Sequence, residues 1–174
     1  MLSEKLEKAL NDQINYEYYS AYTYLAMSAY ADDLGFVGVA NFFQVQAKEE
    51  LDHAKTIYNF VMQKGGKIEL EAIEKPKSTY DGLLDVFETA LEHEKEVTSR
   101  IYNLMNIATD EREYATTSFL KWFIDEQVEE EDNFTNIVRK IKTFSSDSSN
   151  LYLIDNQLAS RVYTPSVPAS SQNA

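Results

Sequence analysis

Apolar residues recur every three or four positions through most of this chain, and the runs break where glycine and proline sit. Residues 1–34, 39–64 and 83–164 contain neither glycine nor proline. A three-to-four-residue period keeps apolar side chains on one face of a helix, so runs of this length predict long amphipathic α-helices. Helix A is expected over about 4–33 with Ser3 as its N-cap, and helix B over about 36–64, stopped by Gly65 and Gly66. Helix C is expected over about 80–107, and helix D over about 111–144, entered through Thr109 or Asp110 as cap. After the stretch SSDSSN, a short helix E spans about 150–161. No strand-like alternation competes, and no internal repeat is evident.

The connections set the topology. The A–B and C–D links are a few residues long, so each pair forms an antiparallel hairpin. The B–C link, residues 65–79, spans about 15 residues, and such a stretch reaches roughly 50 Å when extended. Helix B is roughly 43 Å long at 1.5 Å per residue, so the link can run the full length of a bundle. Ile68, Leu70 and Ile73 within it favour a crossover packed along the bundle over a solvated loop, which makes B and C parallel. The expected architecture is an all-α four-helix bundle with one long crossover and a short fifth helix. The domain is expected to span 1–162, with 163–174 a flexible Pro/Ser-rich tail.

One feature of the pattern is out of place. Residues seven positions apart on a helix lie within roughly 20° of each other. Glu17 is flanked in this way by Leu10 and Tyr24, Glu50 by Phe43 and Ile57, Glu94 by Phe87 and Ile101, and Glu130 by Phe123 and Ile137. Each long helix therefore carries one glutamate centred on its apolar stripe, near mid-length in A, B and C and somewhat past it in D. One such residue alone reads as a boundary side chain reaching for water. Four at one level, joined by His53 one turn after Glu50, converge on the core. Unpaired buried carboxylates repel and are driven to protonate, whereas four of them balance two divalent cations. Oxygen-rich sites with one imidazole suit iron or manganese. A zinc site would use more Cys and His, and the calcium-loop pattern is absent.

Composition narrows the class further. The 174 residues are 44% apolar and 26% charged, which suits a globular domain. There is no cysteine, which excludes disulfides, thiolate metal sites and cysteine nucleophiles. The formal net charge of −13 argues against a nucleic-acid partner and allows attraction of cations, although charge alone fits equally a role in keeping the protein soluble. No apolar run is long enough to span a membrane, and the N-terminus lacks the order of a signal peptide. A cytoplasmic location is expected.

These residues together resemble the ferroxidase centre of the bacterial non-haem ferritins. They are Glu17, the E-x-x-H of Glu50 and His53, Glu94, and the Q-x-x-E of Gln127 and Glu130. The resemblance extends over about residues 1–162. It implies that Glu17, Glu50 and His53 hold a first iron, and that Glu50 bridges to a second iron held by Glu94 and Glu130, with Gln127 close by. It also implies a third, weaker iron site at Glu49, Glu126 and Glu129, sharing Glu130, and makes Tyr24 an electron donor beside the centre. From position alone, Glu49, Glu126 and Glu129 read as a solvated acidic flank, and Tyr24 and Trp122 as core aromatics. His93 lies off the stripe centre and is expected in solvent or beside the site, not as a ligand. Haem is not expected. Bacterioferritins repeat E-x-x-H on helix D and place a methionine after the helix B glutamate, where this chain has Gln127 and Leu51. The four-cysteine site of rubrerythrins is ruled out, and the DNA-binding mini-ferritins lack this glutamate set.

The resemblance implies an iron-storage ferroxidase: Fe(II) is oxidised by O2 (or H2O2) and passed as Fe(III) to an oxyhydroxide mineral. It also implies a hollow shell of 24 subunits with helix E at the fourfold axes. The sequence itself gives helix E only apolar residues to bury, Leu151, Leu153, Ile154 and Leu158. The competing function on the same bundle is a non-enzymatic divalent-metal buffer, and a third is a purely structural bundle with protonated glutamates.

Overall fold

Helix ends in this protein fall where backbone hydrogen bonding runs out. The computed structural model describes residues 1–144 and 148–168. Its helices are α1 Glu4–Asp33, α2 Val37–Gln63, α3 Leu83–Asp110, α4 Tyr114–Phe144 and α5 Ser148–Ala159, and there is no strand among the described residues. The expected class and helix order are found. Ser3 caps α1, its Oγ accepting from Leu6 N at 3.1 Å. Several boundaries differ from expectation by two or three residues, among them α5, found over Ser148–Ala159 instead of about 150–161. α3 begins at Leu83 because Gly82, at φ +89°, lies outside helical geometry. Thr109 and Asp110 do not cap α4; they form the last turn of α3, whose hydrogen bonds continue to Glu111 N→Ile107 O at 3.0 Å. The cap is Glu113, whose carboxylate accepts from Thr116 N at 2.9 Å and Thr116 Oγ at 2.7 Å. These bonds, and Lys64 beside them, lower the Glu113 pKa to about 2.

The crossover after α2 runs along α1. Asn11 donates to Lys67 O at 2.9 Å and accepts from Glu69 N at 2.8 Å; Asn15 does the same for Glu69 O at 2.8 Å and Glu71 N at 2.9 Å. Further on, Tyr30 OH donates to Tyr80 O at 2.6 Å and accepts from Gly82 N at 3.1 Å. The chain thus travels from Asn11 to Tyr30 of α1 before α3 begins, and α2 and α3 run parallel, as expected. The means differ in part: Ile68 packs against the core as expected, but Leu70 and Ile73 are 62% and 49% exposed, and two asparagine amides and a tyrosine do the rest of the holding.

Two apolar clusters fill the bundle. One holds Tyr24, Phe43, Phe87 and Phe134, the other Leu10, Ile14, Ile57, Ile101 and Phe123. On every long helix the residues between the clusters are the glutamates, so the core is two dry halves separated by a polar layer.

α5 joins the first cluster. Ile154 is buried there, and Leu151 and Leu158 pack against it. Burying a side chain of this size is worth about 2 kcal/mol. Leu153 stays exposed. Asp155 Oδ1 accepts from Val39 N at 2.8 Å, supplying the N-terminal cap that Phe36 does not provide for α2. Gly38 permits the approach, since a Cβ there would lie 1.9 Å from Asp155 O. The four apolar residues of α5 therefore divide: three serve the core of their own chain. Beyond α5, residues 161–168 lie over α2 and α4; residues 169–174, the end of the expected tail, lie outside the described residues.

Candidate metal centre

The polar layer takes Glu17 from α1, Glu50 and His53 from α2, Glu94 from α3, and Gln127 and Glu130 from α4, all buried. Their heptad-spaced apolar neighbours lie in the two clusters and hold each helix face inward at this height. Ligand atoms of Glu17, Glu50 and His53 lie within 4.8 Å of one another, close enough to share one cation. His53 Nδ1 is 3.3 Å from Glu50 Oε2, but without hydrogen-bond geometry. Glu17 Oε2, Glu50 Oε2 and His53 Nε2 are buried with no hydrogen-bond partner. Buried polar atoms are nearly always paired, so the orphaned carboxylate oxygens of Glu17 and Glu50, beside His53 Nδ1, fit a cation, while His53 Nε2 lies toward Glu126 at 4.0 Å.

The other half of the layer is held by hydrogen bonds. Tyr24 OH donates to Glu94 Oε1, and Gln127 Nε2 donates to Glu94 Oε2 at 3.0 Å. Gln46 Nε2 donates to Glu130 Oε2 at 3.1 Å, and Gln13 Nε2 to Glu17 Oε1 at 2.8 Å. Arg100 Nε in turn donates to Gln13 Oε1 at 3.1 Å. Burial raises the pKa of Glu17, Glu50 and Glu94, and neighbouring carboxylates raise the first two further. Glu130 is pushed up to about 8 by burial and then by the Glu94 charge. Burial and the same carboxylates keep the Tyr24 phenol protonated. A cation entering the layer therefore displaces protons, and its affinity rises with pH.

The remaining residues separate. Glu49 is nearly buried and paired with Arg161, and Glu126 accepts from Ser166, whereas Glu129 is exposed. His93 is neither solvated nor in the cation-sized group. It stacks on Tyr16 and bonds Ser20 Oγ at 2.7 Å, and burial, with Arg100, lowers its pKa to about 4. Trp122 packs edge-on to His53, ring centres 5.5 Å apart. Sequence reasoning missed Gln13, Gln46, Arg100 and Arg161. The first two sit four residues before Glu17 and Glu50, a spacing that hints at amide–carboxylate pairing, although Gln46 reaches across to α4 instead. Nothing local marks Arg161.

The sequence model of a family described as "Ferritin-like domain" matches residues 7–144. The chain belongs to the ferritin family. It is 45% identical to a bacterial non-heme ferritin of Staphylococcus aureus (strain USA300) over 163 residues, covering 94% of this chain and 98% of that protein. A bacterial non-heme ferritin of Staphylococcus haemolyticus matches to the same extent. Among solved structures, an Archaeoglobus fulgidus ferritin engineered into a closed form superposes with a TM-score of 0.92 at 44% identity, covering 94% of this chain and 100% of that one. A humanized archaeal ferritin gives a TM-score of 0.94 at 44% identity over 95% of this chain and 100% of its own. The ferritin-like match stops at Phe144, so α5 and the segment after it lie beyond the family model. Among the described residues no helix is long and apolar enough to cross a membrane.

Proposed function

We propose that this ferritin stores iron and oxidises it on entry, taking Fe(II) and O2 as substrates. The observation that carries the reading is the convergence of one carboxylate from each of four helices with His53, including two orphaned carboxylate oxygens. Glu17, Glu50 and His53 take a first Fe(II). Glu50 is shared with a second, taken by Glu94 and Glu130 beside the neutral Gln127. Each Fe(II) gives up one electron, and O2 takes two electrons and two protons to become H2O2, or twice as many, from two successive pairs, to become water. Where only three Fe(II) are at hand, Tyr24, bonded to Glu94, gives the fourth electron and its phenolic proton that O2 needs to become water.

Charge then favours transit. Four carboxylates neutralise two Fe(II) and leave two Fe(III) in excess, so hydrolysis supplies hydroxide, releases protons and leads to an oxyhydroxide mineral. The mineral is held in a shell of 24 subunits in the cytoplasm, and Glu49, Glu126 and Glu129 form a weaker third site on the way. Aerobic stopped-flow addition of Fe(II) tests the reaction. Oxidation well above the uncatalysed rate, followed by dense cores inside shells in electron microscopy, is expected. Binding without a rate above background would make the protein a metal buffer instead.

A further inference from the structure

The segment after α5 is tied to one acidic patch. Arg161 Nη2 lies 2.5 Å from Glu49 Oε2, with its guanidinium carbon 4.5 Å above the Phe42 ring. Its own carbonyl accepts from Asn41 at 2.9 Å, which fixes the backbone. Asp52 Oδ2 accepts from Tyr163 OH at 2.6 Å and from Ser166 N at 3.2 Å. Ser166 Oγ donates to Glu126 Oε1 at 2.6 Å, and the same Glu126 oxygen lies 4.0 Å from His53 Nε2. That nitrogen is buried and has no hydrogen-bond partner, although His53 belongs to the layer. The patch therefore opens directly onto the metal centre through an unsatisfied ring nitrogen, and residues 161–166 close it from outside.

We propose that Arg161 is a built-in competitor at this patch: a cation binds Glu49 and Glu126 only in exchange for the guanidinium, and the exchange releases the 161–168 strap. Three features support exchange over a permanent lid. A guanidinium is itself a cation, so the acidic group is neutralised without metal and a divalent ion gains by replacing it. Two of the strap's contacts, Arg161 on Glu49 and Ser166 Oγ on Glu126, are ones that a cation at those carboxylates would compete for directly. The patch lies beside the paired site, so a closed strap keeps metal in the layer and an open one lets it leave. The inference rests on the proposed iron chemistry for the identity of the natural cation.

Zinc, which has no redox chemistry, tests the exchange in the full-length, chelator-treated protein. In calorimetric titration, Arg161→Gln should bind a third zinc per subunit roughly tenfold or more tightly than wild type, the gain from losing one charge-assisted contact. The first two sites should not change. Adding Glu49→Gln to Arg161→Gln should abolish that gain. Hydrogen–deuterium exchange of the 161–168 segment supplies an independent readout that needs no access for a second protein. Exchange there should be slow in metal-free wild type, faster once zinc exceeds the first two equivalents, and fast without metal in Glu49→Gln. Unchanged third-site affinity in Arg161→Gln, or exchange of the segment indifferent to zinc, overturns the proposal. Wild type that binds no zinc in the layer at all overturns the metal reading instead.

Discussion

Glu130→Gln offers a test of the buried layer in metal-free protein. Glu130 is 5% exposed and its carboxyl is raised from an ordinary value of 4.5 to about 8. A carboxyl raised on folding binds its proton more tightly in the native state. Its contribution is fully present below about pH 4.5 and is lost as pH rises towards 8. Each unit of pKa difference is worth about 1.4 kcal/mol, so between about pH 5 and 8 this group alone tilts stability downward by about 1.4 kcal/mol per pH unit. By pH 7 the loss is about 3 kcal/mol relative to acid. Glutamine removes the titration but keeps an oxygen for the hydrogen bond from Gln46. Urea unfolding of chelator-treated wild type and variant at pH 5, 6, 7 and 8 should therefore show the two nearly equal at pH 5, with the variant progressively more stable above. Saturating Fe(II) without oxygen should reverse the order at pH 7, because the variant has lost a ligand to the second ion. A stability difference that stays constant across pH, or a variant less stable at pH 8, would refute the account of a neutralised buried carboxyl.

Glu50→Gln should slow the first burst of aerobic Fe(II) oxidation by orders of magnitude in stopped flow, because both ions lose their shared carboxylate; its metal-free melting temperature should not fall. Gly38→Ala puts a methyl group where Asp155 O stands, and should cost about 1–3 kcal/mol, read as a lower melting temperature together with faster proteolysis within α5. Glu113→Ala removes the cap of α4 and should cost about 1 kcal/mol in urea unfolding, whereas an unchanged midpoint would mean that Thr116 finds another partner.

The helices and the carboxylate layer were legible because each glutamate repeats one local rule, with apolar residues seven positions to either side. That rule survives any tertiary arrangement that buries the stripe. It brought Glu17, Glu50 and His53 together correctly, and it placed Glu94 and Glu130 in the same layer. It could not show that Tyr24 and Gln127 bond Glu94, since those contacts depend on how α1 and α4 lean on α3. The seat of α5 left one clue. Gly38 sits early in a helix, where glycine costs about 1 kcal/mol, and such a residue signals close approach of another backbone. The Arg161–Glu49 pair left none, because the two residues are 112 positions apart and no periodicity connects them. At the start of α4 the preference for short polar caps pointed to Thr109 and Asp110, and continuing backbone bonds of α3 overruled it.

The division of the core into two dry halves has a consequence for how this chain can change length. A residue inserted in α2 between Phe43 and Ile57 would turn everything beyond it by about 100° and advance it by 1.5 Å. Either the upper or the lower half would then lose its register, and Glu50 or His53 would leave the layer. The same holds between Ile14 and Tyr24, between Phe87 and Ile101, and between Phe123 and Phe134, which belong to opposite clusters. Among the described residues of the bundle, insertions and deletions are therefore confined to the joints: the turn around Gly35, the crossover and residues 111–113. Along the helices, substitutions can accumulate while the count of residues between the two halves stays fixed.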